Sequence, residues 1–139
     1  LPQFRERRAG AIINVTSSSV LSPMPLVAAY TASKTAVEGF TASLALELAE
    51  FGIRARLVQP GYAPTTRFAA NGSERMQCLV PEAYAGYAQR VFATLTQVET
   101  FTAEADVAEA VWLAATEIDG PLRRPAGADA VALARRNVS

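Results

Sequence analysis

Tyr30 and Lys34 stand four residues apart in the run AAYTASKTAV, and Lys34 is the single lysine among thirteen basic residues. On a helix, positions four apart share a face, with Cβ atoms about 6 Å apart. A free tyrosine titrates near pH 10. A neighbouring ammonium favours the phenolate, and bringing the phenol about 3 units toward neutrality needs roughly 4 kcal/mol of differential stabilisation. One close charge in a partly dry cleft can supply much of that. Such a phenol gives or takes a proton near pH 7. The ammonium also offers three donors to a ribose-like diol, which suits lysine better than the planar arginine fork. Composition closes other routes. The chain has no histidine and one cysteine, Cys78. It therefore cannot build a Ser-His-Asp triad, a histidine metal site or a cysteine-bound zinc or iron–sulfur centre. It carries no GxxxxGK[ST] phosphate loop either.

The flanking elements decide whether these groups meet. Residues 1–8 read as the end of a helix stopped near Gly10. AIINV (11–15) is apolar, β-branched and bounded by turn formers, so it reads as a buried strand. TSSSVLSPMP (16–25) is a loop by composition. Residues 26–51 lack proline, and Val37, Phe40, Leu44, Leu48 and Phe51 recur at helical steps, which predicts an amphipathic helix closed by Gly52. IRARLVQ (53–59) reads as a second strand and PGYAPTT (60–66) as a loop. Residues 67–78 are ambiguous. A helix opening on Pro81 is expected over 81–95. Residues 102–116 predict a helix with Thr102 as N-cap and Val107, Val111 and Trp112 on one face. A short strand at 122–125 and a helix at 129–136 complete the reading. Tyr84, Tyr87 and Phe92 read as core residues in preference to the lining of a substrate lid, Cys78 as a passive small hydrophobe, Ser18 and Ser19 as plain loop. The arginine pairs 7–8, 123–124 and 135–136 read as solvated. Alternating strands and helices specify a parallel α/β sheet, in which ligands bind beyond the carboxyl ends of the strands. Ser17, Ser18 and Ser19 follow the first strand, Pro60 and Gly61 follow the second, and the helix bearing Tyr30 and Lys34 starts at the same edge.

The stretch IINVTSSSVLSPMPLVAAYTASKTAVEGF resembles the catalytic segment of the short-chain dehydrogenase/reductase family. Its YxASK run is matched by Tyr30, Ala32, Ser33 and Lys34, and its strand end by Asn14, Val15, Thr16 and Ser17. Ser17 lies thirteen residues before Tyr30, the family's spacing. VQPGYAPT resembles the family's PGxxxT loop, and EADVAEAVWLA its penultimate helix. The resemblance implies a Rossmann-like doubly wound parallel sheet, of which this chain is the C-terminal half. It implies Tyr30 as general acid/base and Lys34 as ligand of the nicotinamide ribose. Ser17 would steady the substrate oxygen. Pro60, Gly61, Ala63 and Thr65 would line the nicotinamide pocket, and Tyr62 would either gate the substrate or pack. The implied reaction is hydride transfer between NAD(P)H and a small carbonyl or alcohol.

The family's N-terminal half is not matched. There is no TGxxxGxG loop, and the family's catalytic asparagine would lie upstream on a helix whose tail is residues 1–8. At the other end LRRPAGADAVALARR replaces the common TGxxxxVDGG, and Ala63 stands where valine or isoleucine is frequent. With no initiator methionine, the chain reads as a piece of something longer. Its 139 residues and zero formal net charge suit one modest domain and point to neither nucleic acid nor membrane. No apolar run approaches the roughly 18 residues of a membrane helix. One cysteine fits a reducing, cytoplasmic setting. The same helix carries small residues on a second face (Ala28, Ala32, Ala36, Gly39, Ser43), and the resemblance implies pairing there, as a homodimer or homotetramer of the full-length protein. Two other functions stay open: a sugar-nucleotide epimerase or dehydratase, which shares YxxxK, and a non-catalytic interaction module.

Overall fold

The computed structural model describes residues 1–68, 70–72, 80–95 and 97–136. Three parallel strands form its sheet in the order β1 (Gly10–Val15), β2 (Ile53–Pro60), β3 (Arg123–Ala126). Gly10 pairs with Ile53 and Val15 with Val58; Leu57 pairs with Arg123 and Pro60 with Ala126. Helices with fully described bounds surround it: α1 (Pro2–Glu6), α2 (Ala28–Ala49), α3 (Ala85–Leu95), α4 (Glu104–Thr116) and α5 (Ala128–Arg136). Short 3-10 turns lie at Ser18–Val20 and Glu82–Tyr84. This is the α/β sheet the alternating pattern specifies.

The two-residue period of the strands sorts the core onto two faces. Ile12, Ile53 and Ala55 turn toward α2 and pack with Leu44, Leu48 and Phe51. Ile13, Val58 and Ala126 turn the other way and pack with Val107, Ala110, Val111 and Ala114 of α4. β2 lies between the other strands, and its Leu57 and Val58 are wholly buried. Arg54 and Arg56 share the α4 face. Their guanidiniums donate to the carbonyls of Ala114 and Ala115, which the end of α4 leaves without helical partners, and to that of Ile118 just beyond it. Burial, aided by the neighbouring Arg54, holds the Arg56 pKa below its ordinary value. Gly52 ends α2 at φ +66°, where a Cβ would also stand 2.9 Å from the Arg8 carbonyl oxygen.

Several expectations need correction. Phe40 and Trp112 are 62% and 68% exposed. Glu38 and Thr41, not Phe40, fill the inner stripe of α2. Tyr84, Tyr87 and Phe92 are exposed rather than core. Ala103, not Thr102, caps α4, and Asp106 reaches back to accept the Ala103 N–H at 2.9 Å. Ser18 and Ser19 are buried rather than open loop. Arg123 pairs with Glu38, and Arg124 pairs with Glu117. Residues 68 and 70–72 are helical; Cys78 lies outside the described residues.

Candidate active site

The carboxyl ends of β1 and β2 and the first turns of α2 form one edge. The chain leaves β1 through Thr16 and Ser17. Ser17 is extended and heads the 3-10 turn, its Oγ accepting the Ser19 N–H at 3.2 Å. Leu26 then takes φ +65°, a left-handed conformation that costs a non-glycine residue about 1–2 kcal/mol. Two residues later α2 begins.

Tyr30 and Lys34 lie half-buried in the first turns of α2. Ser33 Oγ donates to the Tyr30 carbonyl at 2.6 Å, so this serine supports the turn. Lys34 Nζ lies 5.7 Å from the centre of the Tyr30 ring, within the range of a cation–π contact. It also donates to the Val15 carbonyl at 3.3 Å, which ties the ammonium to the end of β1 two residues before Ser17. The ammonium thus lies beside the Tyr30 ring and is tied to the strand end from which the serine turn departs. Phe68 reaches back from beyond the second loop, its ring centre 6.0 Å from that of Tyr30.

One helical turn below Lys34 sits a buried glutamate that sequence reasoning missed. Glu38 Oε1 accepts from Thr16 Oγ1 at 2.8 Å and from Gln59 Nε2 at 2.9 Å; Oε2 accepts from Arg123 Nε at 2.9 Å. Thr16 immediately precedes Ser17, and Gln59 immediately precedes Pro60. One carboxylate therefore joins the carboxyl ends of β1 and β2, and the first residue of β3, to the helix that bears Tyr30 and Lys34. Asn14 adds a second tie, donating to Thr41 Oγ1 at 2.8 Å. The signal was available: Glu38 follows Lys34 at the same four-residue step, and Thr16 and Gln59 are polar residues at the ends of apolar strands.

The second loop is held separately. The Gly61 N–H reaches both the Ala126 carbonyl and Thr102 Oγ1, each at 3.1 Å. The Tyr62 N–H donates to Asp129 Oδ2 at 2.7 Å, and the Tyr62 carbonyl accepts from the Thr102 N–H at 2.7 Å. Ala63 is partly buried and accepts from Thr66, which starts the next helical turn, whereas Thr65 is exposed. The structure thus joins Pro60 and Gly61 to the Tyr30–Lys34 helix through Gln59 and Glu38, while Thr65 stands at the outer rim.

The sequence profile described as short chain dehydrogenase matches residues 1–77. The chain is 35% identical over 121 residues to the uncharacterized oxidoreductase YusZ of Bacillus subtilis, covering 84% of this chain and 42% of that protein. A short-chain dehydrogenase from Streptomyces avermitilis superposes with a TM-score of 0.73 at 28% identity, over 99% of this chain and 50% of its own. One from Burkholderia cenocepacia, solved in complex with NADP, superposes at 0.69 and 25% identity, over 99% of this chain and 47% of its own. The chain spans about half the length of these relatives.

Proposed function

Since the chain belongs to the short chain dehydrogenase family, we propose that it is the catalytic half of an oxidoreductase that moves a hydride between NAD(P)(H) and a small carbonyl or alcohol. The observation that carries this reading is the Lys34 ammonium held between the Tyr30 ring and the end of β1. The relative solved with NADP supports the choice of cofactor class.

The residues present fit the nicotinamide-ribose end of such a cofactor. Lys34 Nζ commits one donor to Val15, which leaves two for a diol. The Pro60–Gly61 turn beyond the end of β2 is fixed by hydrogen bonds from the Gly61 N–H to the Ala126 carbonyl and Thr102 Oγ1. The chain has no glycine-rich pyrophosphate loop of the TGxxxGxG kind. When bound, the cofactor supplies the hydride. Tyr30 exchanges the proton with the substrate oxygen. Ser17, whose Oγ accepts from Ser19, keeps its own proton to donate to that oxygen. Phe68 and Tyr62 form walls for the substrate. Ala63 and Thr65 complete the cofactor side. The exposed face of α2, with its small residues and Phe40, suits pairing with a second copy.

The test titrates full-length protein with NADH and NADPH and assays a panel of carbonyls. One cofactor binds in wild type and in Tyr30→Phe alike, while turnover in the variant falls about 100-fold or more. Binding of neither cofactor, or undiminished turnover in Tyr30→Phe, would end this reading.

A further inference from the structure

The segment that replaces the common TGxxxxVDGG pattern has a specific partner. Gly127 and Asp129 sit where β3 turns into α5, and Asp129 faces the loop that follows β2. Its two carboxylate oxygens are both used. Oδ2 accepts the Tyr62 N–H at 2.7 Å, and Oδ1 lies 2.7 Å from Thr102 Oγ1. Thr102 is wholly buried, and its oxygen also lies 3.0 Å from the Ala126 carbonyl. A hydroxyl has one proton. Directed at Ala126, it would leave two lone-pair-bearing oxygens facing each other at 2.7 Å, so the carboxylate is the favoured acceptor. Thr102 Oγ1 in turn accepts from the Gly61 N–H. Both N–H groups of the turn, and the Tyr62 carbonyl, are thereby held by two residues that lie 41 and 67 positions away.

The glycines fit the same device. A Cβ on Gly61 would run into the Asp129 carboxylate. Gly127 has φ +93°, and a Cβ there would overlap the Thr102 hydroxyl. Four residues, Gly61, Thr102, Gly127 and Asp129, therefore depend on one another. Asp129 also lies in the first turn of α5, where a carboxylate is favoured on electrostatic grounds alone. That accounts for an acid but not for the convergence of two donors on it.

We propose that Asp129, acting with Thr102, is the positioning residue for the Pro60–Gly61–Tyr62 turn and so for the wall that meets the nicotinamide end of the cofactor. The cofactor part rests on the function proposed above; the clamp itself does not. The test reads two quantities in full-length wild type, Asp129→Ala, Asp129→Asn and Thr102→Val. The first is deuterium uptake, by mass spectrometry, in a peptide covering 58–66 and in a reference peptide covering 10–16. The second is affinity for NADH and NADPH by fluorescence. In Asp129→Ala the 58–66 peptide exchanges about tenfold faster, the loss of one hydrogen bond to a charged group, while the reference peptide is unchanged. Cofactor affinity falls by a similar factor. Asp129→Asn keeps an acceptor for Tyr62 and restores most of both. If Asp129→Ala does not fold, Thr102→Val, close in shape, accelerates the same peptide. Unchanged exchange at 58–66 overturns the clamp. Faster exchange with undiminished affinity overturns the positioning role. A wild type that binds neither cofactor overturns the cofactor part, and the exchange result still decides the clamp.

Discussion

Glu38→Ala is the substitution that most directly probes how the site is held. It deletes the acceptor shared by Thr16, Gln59 and Arg123. The three donors lose different amounts. Thr16 Oγ1 has a second acceptor in the Val58 carbonyl at 3.3 Å, so its loss is small. The Arg123 side chain is 48% exposed and regains water, so its ion pair contributes about 0–1 kcal/mol. Gln59 is 1% exposed, and its amide nitrogen is left buried without this partner, at about 1–3 kcal/mol. The space vacated at a 7% exposed side chain adds about 1 kcal/mol. The sum is roughly 2–5 kcal/mol, or about 6–20 °C in Tm for a chain of this size. Glu38→Gln keeps one oxygen for Gln59 and Thr16 but turns a donor toward Arg123, so it loses about 1 kcal/mol. Arg123→Ala loses less than either. Urea unfolding of the three variants measures the order. The reasoning fails if Arg123→Ala is as damaging as Glu38→Ala, because the exposed ion pair would then carry what is assigned here to the buried acceptor. It fails equally if Glu38→Ala unfolds within about 0.5 kcal/mol of wild type.

Gly52→Ala forces a Cβ into a left-handed position against the Arg8 carbonyl; a loss of about 1–2 kcal/mol in urea unfolding is expected, and an unchanged midpoint would contradict the backbone geometry. Arg56→Leu leaves the Ala114 and Ile118 carbonyls without their guanidinium donor; about 1–3 kcal/mol is lost, and thermal melts that match wild type would show that water replaces it. Phe68→Ala removes the ring beside Tyr30; the KM for an apolar carbonyl rises about tenfold with little change in kcat, and a fall in kcat alone would place Phe68 on the chemistry rather than on binding. Phe40→Glu puts a charge on the open face of α2; light scattering of the full-length protein reads a smaller assembly if that face pairs, and an unchanged mass removes this face as the interface.

What was legible in the sequence is what local patterns report. AIINV and IRARLVQ show as strands because β-branched residues are bounded by turn formers, and Gly52 marks a helix end because it alone fits the left-handed cap. Tyr30 and Lys34 show because a helix brings i and i+4 together whatever surrounds them. Phe40 and Trp112 mislead for a related reason. Periodicity finds apolar residues on a helix but cannot tell a face that meets the core from one that meets solvent or a partner. The inner stripe of α2 holds Glu38 and Thr41, polar residues that are tolerated there only when Thr16, Gln59, Arg123 and Asn14 arrive from in or beside the strands, 21 to 85 positions away. Thr102 fails as an N-cap for the same reason: Asp129 and Gly61 take its hydroxyl away from the helix it precedes.

The two carboxylates divide the work of the site. Glu38 ties the β1 and β2 ends to the helix that bears Tyr30 and Lys34; Asp129 ties the turn after β2 to the opposite end of the chain. Neither stands at the outer edge where a substrate would meet the phenol. Each has both oxygens engaged, whereas among the described residues the hydrogen bonds at Tyr30 and Ser17 run through a backbone carbonyl and an accepted amide. On the proposed function that asymmetry is what preorganisation requires: the groups that would meet the reacting atoms keep capacity in reserve, and the groups behind them have none to spare. It follows that damage to the supports should reach the chemistry through geometry. Glu38→Gln should lower turnover at saturating substrate more than its small loss of stability accounts for, because Ser17 and the Pro60–Gly61 turn would shift relative to Tyr30. Equal stability and equal turnover in that variant would mean that the strand ends hold their places without it.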